Sequence, residues 1–181
     1  SNYITSNFSN LIFSCSVPSQ WHMEHRVTDH CVVFVRQGKL LISDKGRTEE
    51  IPAGSCVFLK KDCSVRLVKA SFAGKNYEGL NIRLPQNILE DYFQRHLKNN
   101  EFSQDFTGLS NCFMRLNRTL CLQGLLSSII LFVEEGQDPG QKMTELKVEE
   151  LILDLLQTNI RFFPTLFDFY RDWNVDLKEF M

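Results

Sequence analysis

The sequence predicts an α+β protein in which a β-barrel is followed by a helical region. Residues 30–61 contain short apolar runs separated by glycine-containing turns, a spacing that is typical of β-hairpins. After Pro85 the apolar period changes from two residues to between three and four, as in amphipathic helices. Apolar residues make up 43% of the 181 residues and charged residues 23%, which is ordinary for a globular chain.

The predicted strands follow one another closely. A tight reversal is expected at Pro52-Ala53-Gly54, because proline presets φ and glycine accepts a positive φ. A short additional strand is expected at residues 11–13, ahead of Pro18. The main predicted strands are residues 31–36, 39–43, 48–51, 55–60, 64–70 and 77–84. Short strands that each have an apolar face close most economically into a barrel or sandwich.

The helical region is predicted to contain helices at residues 86–97, 118–135 and 142–158, with Pro164 in the first turn of a fourth. The third helix has an apolar stripe that Met143, Leu146 and Leu153 widen, and two apolar faces predict two neighbours. We expect the region to form a homodimer; a helix buried in its own core is the alternative. The predicted dimer interface consists of Leu122, Leu125, Ile129, Val148, Leu151, Ile152 and Leu155.

These elements predict a barrel at residues 1–84 and a helical region at 85–175. Asp176 with Glu179 three residues later resembles a capping box, so residues 176–181 are expected to begin another domain. The barrel part carries 11 Lys/Arg against 7 Asp/Glu, and the remainder carries 9 against 15. The helical region is therefore acidic.

Charge and hydropathy exclude two classes of partner for this chain. Neither half has the clustered basic stripe that a nucleic-acid surface needs. Lys60, Lys61, Arg66 and Lys69 are interpreted as a solvated strand-and-turn surface. The longest apolar run, residues 125–133, is far shorter than the roughly 20 residues of a membrane-spanning helix, so no membrane partner is expected.

The cysteines indicate the compartment. There are six, at positions 15, 31, 56, 63, 112 and 121, and no two are spaced as C-x-x-C. We interpret them as buried free thiols. With no secretory segment at the start of the sequence, we expect a reducing, cytoplasmic location.

The glycine and proline spacing resembles half of the metal-binding cupin motif. Gly46, Pro52 and Gly54 match the pattern G-x5-P-x-G-x2-H-x3-N, whose His and Asn positions are occupied here by Val57 and Lys61. The resemblance implies a cupin-like barrel, a double-stranded β-helix, without its usual metal ligands.

The other half of the cupin motif is no better preserved. Its Glu position is occupied by Cys31 and one of its two His positions by Val27, so His25 is the single plausible ligand. A lone imidazole with a thiol is a weak metal site. No metal, cofactor or catalytic residue is therefore predicted, and His22, His25 and His30 are interpreted as partly exposed residues at the barrel mouth.

The order of motifs is similar to the N-terminal sensor and dimerisation region of AraC-type bacterial transcription regulators. The relevant segments are HCVVFVRQGKLLI at residues 30–42, IPAGSCVFLKKD at 51–62, YEGLNIRL at 77–84 and LKVEELILDLL at 146–156. The resemblance implies a module that senses an effector, dimerises and acts on a DNA-binding domain with two helix-turn-helix units beyond this chain. It implies that DNA is contacted only through that domain.

The ligand of such a module is expected in the barrel lumen, and it is either sugar-like or an organic acid. The predicted lining residues are Trp21, His25, Cys31, Val33, Val57 and Leu59. Two alternatives remain: a metal-dependent cupin enzyme, either a sugar isomerase or a dioxygenase, and an interaction domain whose barrel binds no ligand.

Overall fold

Two antiparallel sheets form the barrel in a computed structural model that describes residues 3–98 and 107–169. The larger sheet has the strand order β1-β2-β9-β4-β7-β10, and the smaller has the order β3-β8-β5-β6. The strands are β1 Ile4–Phe8, β2 Ile12–Val17, β3 Trp21–Arg26, β4 His30–Gln37, β5 Lys39–Asp44, β6 Arg47–Pro52, β7 Cys56–Leu59, β8 Ser64–Ala70, β9 Tyr77–Leu84 and β10 Phe113–Arg115.

The predicted turns shape these strands. Gly54 adopts φ +89° after Pro52, as the Pro-Ala-Gly sequence predicts, and returns β7 beside β4. Gly38, with φ +72°, connects β4 to β5, and a Cβ at this position would lie 2.5 Å from the Ala70 carbonyl oxygen. The predicted strands from residue 31 to residue 84 are thus confirmed, with bounds that differ by at most one residue.

Four helices cover the outer face of the six-stranded sheet. They are α1 Gln86–His96, α2 Leu120–Glu135, α3 Gln141–Thr158 and α4 Phe162–Leu166. Thr119 caps the start of α2 by accepting a hydrogen bond from the Leu122 backbone N–H, and the left-handed Gly136 ends the helix. The first three helices begin and end within two residues of the prediction. Pro164 is the third residue of α4 and lies in its first turn, as predicted.

The six-stranded sheet separates two hydrophobic cores because successive residues of a strand face opposite sides. On β4, Val33 and Val35 face the interior between the two sheets, whereas Val32 and Phe34 pack in the core formed with the helices. This sheet is therefore buried on both faces, which explains the nearly continuous apolar run of β4.

Three strands were not predicted. β1 and β3 lie in the polar first part of the chain, and β10 lies in a segment predicted as a loop. β10 pairs antiparallel with β7, with Phe113 opposite Leu59. The barrel therefore extends beyond residues 1–84, because a strand from the predicted helical region completes the edge of its larger sheet.

The structure corrects the predictions for the cysteine thiols and for the position of His30. Cys63 and Cys112 are joined in a disulfide, with Cα atoms 5.6 Å apart, so these two are not free thiols. His30 does not lie at the barrel mouth: it is 2% exposed and stacks on Phe58 in the core between sheet and helices, with ring centroids 5.5 Å apart. The predicted helix start at residues 176–179 lies outside the described residues.

Candidate functional site in the barrel interior

The predicted lumen residues face one compartment. Cys31, Val33, Val57 and Leu59 are each at most 6% exposed and belong to the core between the two sheets. β4 and β7 bring them together, since Cys31 is paired with Leu59 and Val33 with Val57 across the antiparallel ladder. The cupin correspondence therefore places positions 31 and 57 correctly inside the barrel.

Trp21 and His25 lie on the inward face of β3. The strand alternates between half-buried and exposed residues, and Trp21, Met23 and His25 share its half-buried side. Trp21 forms an edge-to-face contact with Tyr3, with ring centroids 4.4 Å apart. Both aromatic residues pack against the interior core, so they partly cover this end of the barrel.

Sequence reasoning missed a lysine at the same end. Lys69, interpreted from the sequence as surface, follows Val65 and Leu67 on the inward side of β8, and its backbone is paired with that of Trp21. Its Nζ lies 3.6 Å from Cys15 Sγ and 5.5 Å from the centroid of the Tyr77 ring. The period of two in β8 was the signal that could have identified it.

Two buried polar atoms of β9 also escaped the sequence analysis. The Tyr77 hydroxyl and Asn81 Oδ1 are shielded from solvent and have no hydrogen-bond partner. Tyr77 belongs to the interior core, and Asn81 is paired with Val33, so both lie on the inward side of the sheet. Because unpaired buried polar atoms are rare in native proteins, such atoms indicate a missing hydrogen-bonding partner.

The electrostatics of the interior do not favour nucleophilic or metal chemistry. Burial raises the pKa of the Cys31 thiol to about 12, so it stays protonated at neutral pH. Burial, and secondarily Lys69, lowers the pKa of His25. Among the residues that the structure describes, no three His, Cys, Asp or Glu side chains are grouped closely enough to hold a metal ion.

The predicted dimer residues occupy a different place from the one expected. All seven are at most 3% exposed within the single chain, where they form the core between the helices and the six-stranded sheet. The apolar stripe is covered by the sheet, so these side chains have no free surface to offer to a second copy. The side chains that widened the stripe remain exposed, with Met143 at 43%, Leu146 at 57% and Leu153 at 46%.

The barrel, its two-sided sheet and its helical layer define a domain of the cupin-like fold class, and comparison with known families supplies its role. The model of the ExsA N-terminal regulatory domain matches residues 30–162. The chain therefore belongs to this family of regulatory domains from AraC-type regulators. No curated protein sequence gives a significant match.

Solved structures of ToxT from Vibrio cholerae have a similar fold. An apo variant from strain SCE256 is 12% identical with a TM-score of 0.60, covering 84% of this chain and 58% of ToxT. Wild-type ToxT with a bound unsaturated fatty acid is 13% identical with a TM-score of 0.55, covering 80% and 52%. ToxT from strain O395 bound to (E)-4-(8-methylnaphthalen-1-yl)but-3-enoic acid is 12% identical with a TM-score of 0.51, covering 80% and 56%. This chain thus spans little more than half the length of ToxT.

In the described ranges 3–98 and 107–169, no helix is both long enough and apolar enough to cross a membrane.

Proposed function

We propose that this domain senses an organic acid in the barrel interior and communicates its occupancy to a DNA-binding region of the same regulator. The observation that carries the proposal is the pair of unsatisfied polar atoms, the Tyr77 hydroxyl and Asn81 Oδ1, inside an otherwise apolar compartment. A bound carboxylate that accepts a hydrogen bond from the Tyr77 hydroxyl would remove part of this unfavourable term from the folded state, whereas Asn81 Oδ1 is an acceptor and needs a donor on the effector.

The charge at the barrel end favours an acid over a sugar. Lys69 has no carboxylate partner within 4 Å in the described part of the chain, and its contacts are a thiol and an aromatic ring. The remaining lining is apolar, which suits an acid with an aliphatic or aromatic body. The acids bound in the two ToxT structures are of that chemical kind.

We infer that an effector enters the interior at the Lys69 end of the barrel. Tyr3 and Trp21 are the half-buried residues at the Lys69 end, so their displacement would open it. An effector then changes the relative stability of two barrel arrangements, which is how binding can be communicated.

A binding assay with matched variants tests the effector. Calorimetric titration of unsaturated fatty acids and aromatic acids, with sugars and uronates for comparison, is expected to show saturable binding of an acid. Lys69→Gln should weaken binding of the acid about tenfold. It should not change the affinity for the methyl ester of the same acid, which carries no negative charge. Lys75→Gln, in the exposed turn before β9, is the control. An interior that binds no member of the panel would support the interaction-domain alternative.

Tyr77→Phe separates an effector role from a structural one. Without ligand, the unpaired hydroxyl contributes nothing favourable, so the variant should be at least as stable as the wild type. If the Tyr77 hydroxyl binds the effector, the affinity of the Tyr77→Phe variant for the effector should be about fivefold lower than that of the wild type. A stability loss without any effect on affinity would contradict the assignment.

We also propose that the domain forms a homodimer through the exposed face of α3, where Met143, Leu146 and Leu153 form an apolar stripe. Leu146→Glu together with Leu153→Glu should shift sedimentation from dimer to monomer. Ile160→Glu is the control, because Ile160 is likewise exposed, at 62%, but lies beyond the end of α3. A wild-type chain that is strictly monomeric at tens of micromolar would refute the dimer.

The chain belongs to a regulatory family, and we propose that it has no catalytic activity of its own. Elemental analysis of purified protein distinguishes this proposal from the cupin-enzyme alternative. A stoichiometric transition metal would support the cupin-enzyme alternative. Its ligands would then be residues that the cupin correspondence does not identify.

A further inference from the structure

A cleft of about 490 Å³ lies on the other side of the six-stranded sheet, against α2. Its apolar wall is formed by Phe34 of β4 together with Leu122, Leu126 and Ile130 of α2. Its volume falls within the roughly 300–1,000 Å³ that is usual for small-molecule sites. The cleft is separate from the barrel interior, because Phe34 belongs to the helix-side core and its neighbour Val33 to the interior core.

Two guanidinium groups line the same cleft. Arg115 ends β10, and Arg118 lies just before the N-cap of α2. Arg115 Nη2 donates to Ser55 Oγ over 2.9 Å, which fixes its head at the cleft wall. Arg118 Nη1 lies 3.8 Å from the position that a Cβ on Gly54 would occupy, so the guanidinium lies beside the Gly54 backbone.

These arginines differ from most other arginines within residues 3–98 and 107–169 by lacking an acidic partner. In the described ranges, neither has a carboxylate oxygen within 4 Å. The arginines that do pair with a carboxylate are Arg36, Arg47, Arg66, Arg83 and Arg95. The cleft therefore combines two unneutralised positive charges with an apolar wall.

Neighbouring groups act on this positive potential in both directions. The first turn of α2 contains no acidic residue, so the positive end of its dipole adds to the two guanidinium charges. Asp154 of α3 contacts this helix start, where it is 6% exposed and accepts a hydrogen bond from Thr119. Burial raises the pKa of the Cys56 thiol in the cleft lining, Arg118 lowers it and Asp154 raises it, so the Asp154 charge offsets part of this potential.

We propose that the cleft is a second binding site, specific for an amphipathic organic carboxylate. The carboxylate lies between Arg115 and Arg118, since planar guanidinium groups donate paired hydrogen bonds to its two oxygens. The apolar body lies on Phe34, Leu126 and Ile130. A ligand in this position contacts the sheet and α2 together, so it favours the arrangement in which that helix is packed on the sheet.

Decanoate below its micelle concentration is a suitable probe. Titrated into the ¹⁵N-labelled 181-residue chain, it is expected to shift the backbone amide resonances of Gly54, Ser55 and Gln123, which line the cleft. Acetate lacks the apolar body and decanol lacks the charge, so each should bind at least about tenfold more weakly.

Variants locate the binding. The double variant Arg115→Gln, Arg118→Gln should weaken decanoate binding about tenfold or more, and Ser127→Trp should abolish it by filling the cleft. Arg66→Gln is the matched control, because Arg66 lies on the smaller sheet with its side chain 66% exposed. Thermal unfolding of each variant verifies the fold. If Ser127→Trp does not fold, the decanoate affinity of the double arginine variant tests the site, because both arginines are exposed.

Three outcomes would overturn the cleft site: an unchanged affinity in the double arginine variant, an equal loss in Arg66→Gln, or decanoate shifts confined to residues of the barrel interior such as Lys69 and Tyr77. The last outcome would support the proposed interior effector site while eliminating the cleft. Conversely, binding confined to the cleft would leave the cleft site standing and count against the interior one.

Discussion

Asp154 of α3 accepts a hydrogen bond from the hydroxyl of Thr119, the N-cap residue of α2, with Oγ1 lying 3.1 Å and 3.4 Å from the two carboxylate oxygens. The same hydroxyl oxygen accepts the Leu122 backbone N–H over 3.0 Å. One hydroxyl therefore both caps α2 and fastens its start to α3. Through Arg118, the residue before the cap, this junction also borders the proposed carboxylate cleft.

The first prediction concerns the charge of Asp154. Burial raises the pKa of this carboxyl above its usual value, opposed by the Thr119 hydrogen bond, so ionisation destabilises the folded chain at neutral pH. Asp154→Asn keeps an oxygen acceptor and removes the charge. We expect it to be at least as stable as the wild type in urea unfolding at pH 7, with any advantage disappearing below pH 3.8.

Asp154→Ala provides the comparison, since it leaves the Thr119 hydroxyl without an acceptor. Its free energy of unfolding should fall by about 1–3 kcal/mol. Equal losses in the Asn and Ala variants would show that the charge itself stabilises the junction, contrary to the expected sign. Glu135→Gln, at an exposed position of α2, controls for removal of a negative charge.

The second prediction is a loss of stability in mild acid through His30. Burial, and secondarily the Lys61 charge, lower the pKa of this imidazole from 6.5 to about 4, while Asp168 opposes the shift. The folded state therefore favours neutral His30. The stability is fully present above pH 6.5 and is lost as the pH falls from 6.5 toward 4, with about 2 kcal/mol lost by pH 5.

His30→Gln removes the titrating group while retaining an acceptor for the Lys61 backbone N–H, which donates to His30 Nδ1 over 3.0 Å. The unfolding free energy of this variant should depend less steeply on pH between 7.5 and 5 than that of the wild type. His22→Gln, at an exposed position of β3, should retain the wild-type slope. A wild-type slope in His30→Gln would assign the acid sensitivity to other groups.

The third prediction concerns the disulfide between Cys63 and Cys112. The bond closes a loop with a sequence separation of 49 residues and ties the turn before β8 to the segment before β10. Reduction, or the double replacement by serine, should lower the free energy of unfolding by up to about 4 kcal/mol on the chain-entropy estimate. Denaturation with and without dithiothreitol measures this difference.

Cys121→Ser is the control, because Cys121 is a free and exposed thiol. Reductant should have no effect on the stability of the variant that lacks both Cys63 and Cys112. The predicted reducing, cytoplasmic location stays a prediction, and thiol labelling of these two residues in intact cells tests it, since such a compartment would keep them reduced.

The fourth prediction compares two glycines with similar backbones and different surroundings. Gly38 has φ +72° and Gly46 has φ +80°, but an added Cβ would lie 2.5 Å from the Ala70 carbonyl oxygen at Gly38 and would meet nothing within 4 Å at Gly46. Gly46→Ala should therefore cost only the left-handed strain of about 1–2 kcal/mol. Gly38→Ala should cost clearly more, as measured by thermal unfolding. Equal losses would mean that the β4–β5 turn relaxes away from the contact.

Local pattern was sufficient for most of the barrel and for all the long helices. The turns at Gly38 and Gly54 separate strands whose apolar faces repeat every second residue, so the strand positions followed from the sequence. The pairing did not, because β4 pairs with β7 and β9, whereas β5, which follows Gly38, belongs to the smaller sheet. β3 was missed because its inward side, Trp21, Met23 and His25, alternates with fully exposed polar residues and has no aliphatic run. The three-residue β10 owes its conformation to distant β7.

The candidate site was likewise only partly predictable from the sequence. Periodicity placed Val33 and Val57 inward but could not show that the Tyr77 hydroxyl lacks a partner, because that depends on packing between strands distant in sequence. Periodicity also identified the apolar stripe of α3 without showing what covers it. That is why residues such as Leu151, which pack on the chain's own sheet, were assigned to a dimer interface.

Strand β4 is a wall shared by two compartments, since Val33 faces the barrel interior and Phe34 faces the cleft. The same holds on β7, where Val57 faces inward and Cys56 lines the cleft. On the two proposals above, a ligand at one site that displaces this shared backbone changes the affinity of the other site, and thermodynamic reciprocity requires the same factor in both directions. Titrating one ligand in the presence and absence of the other measures that factor.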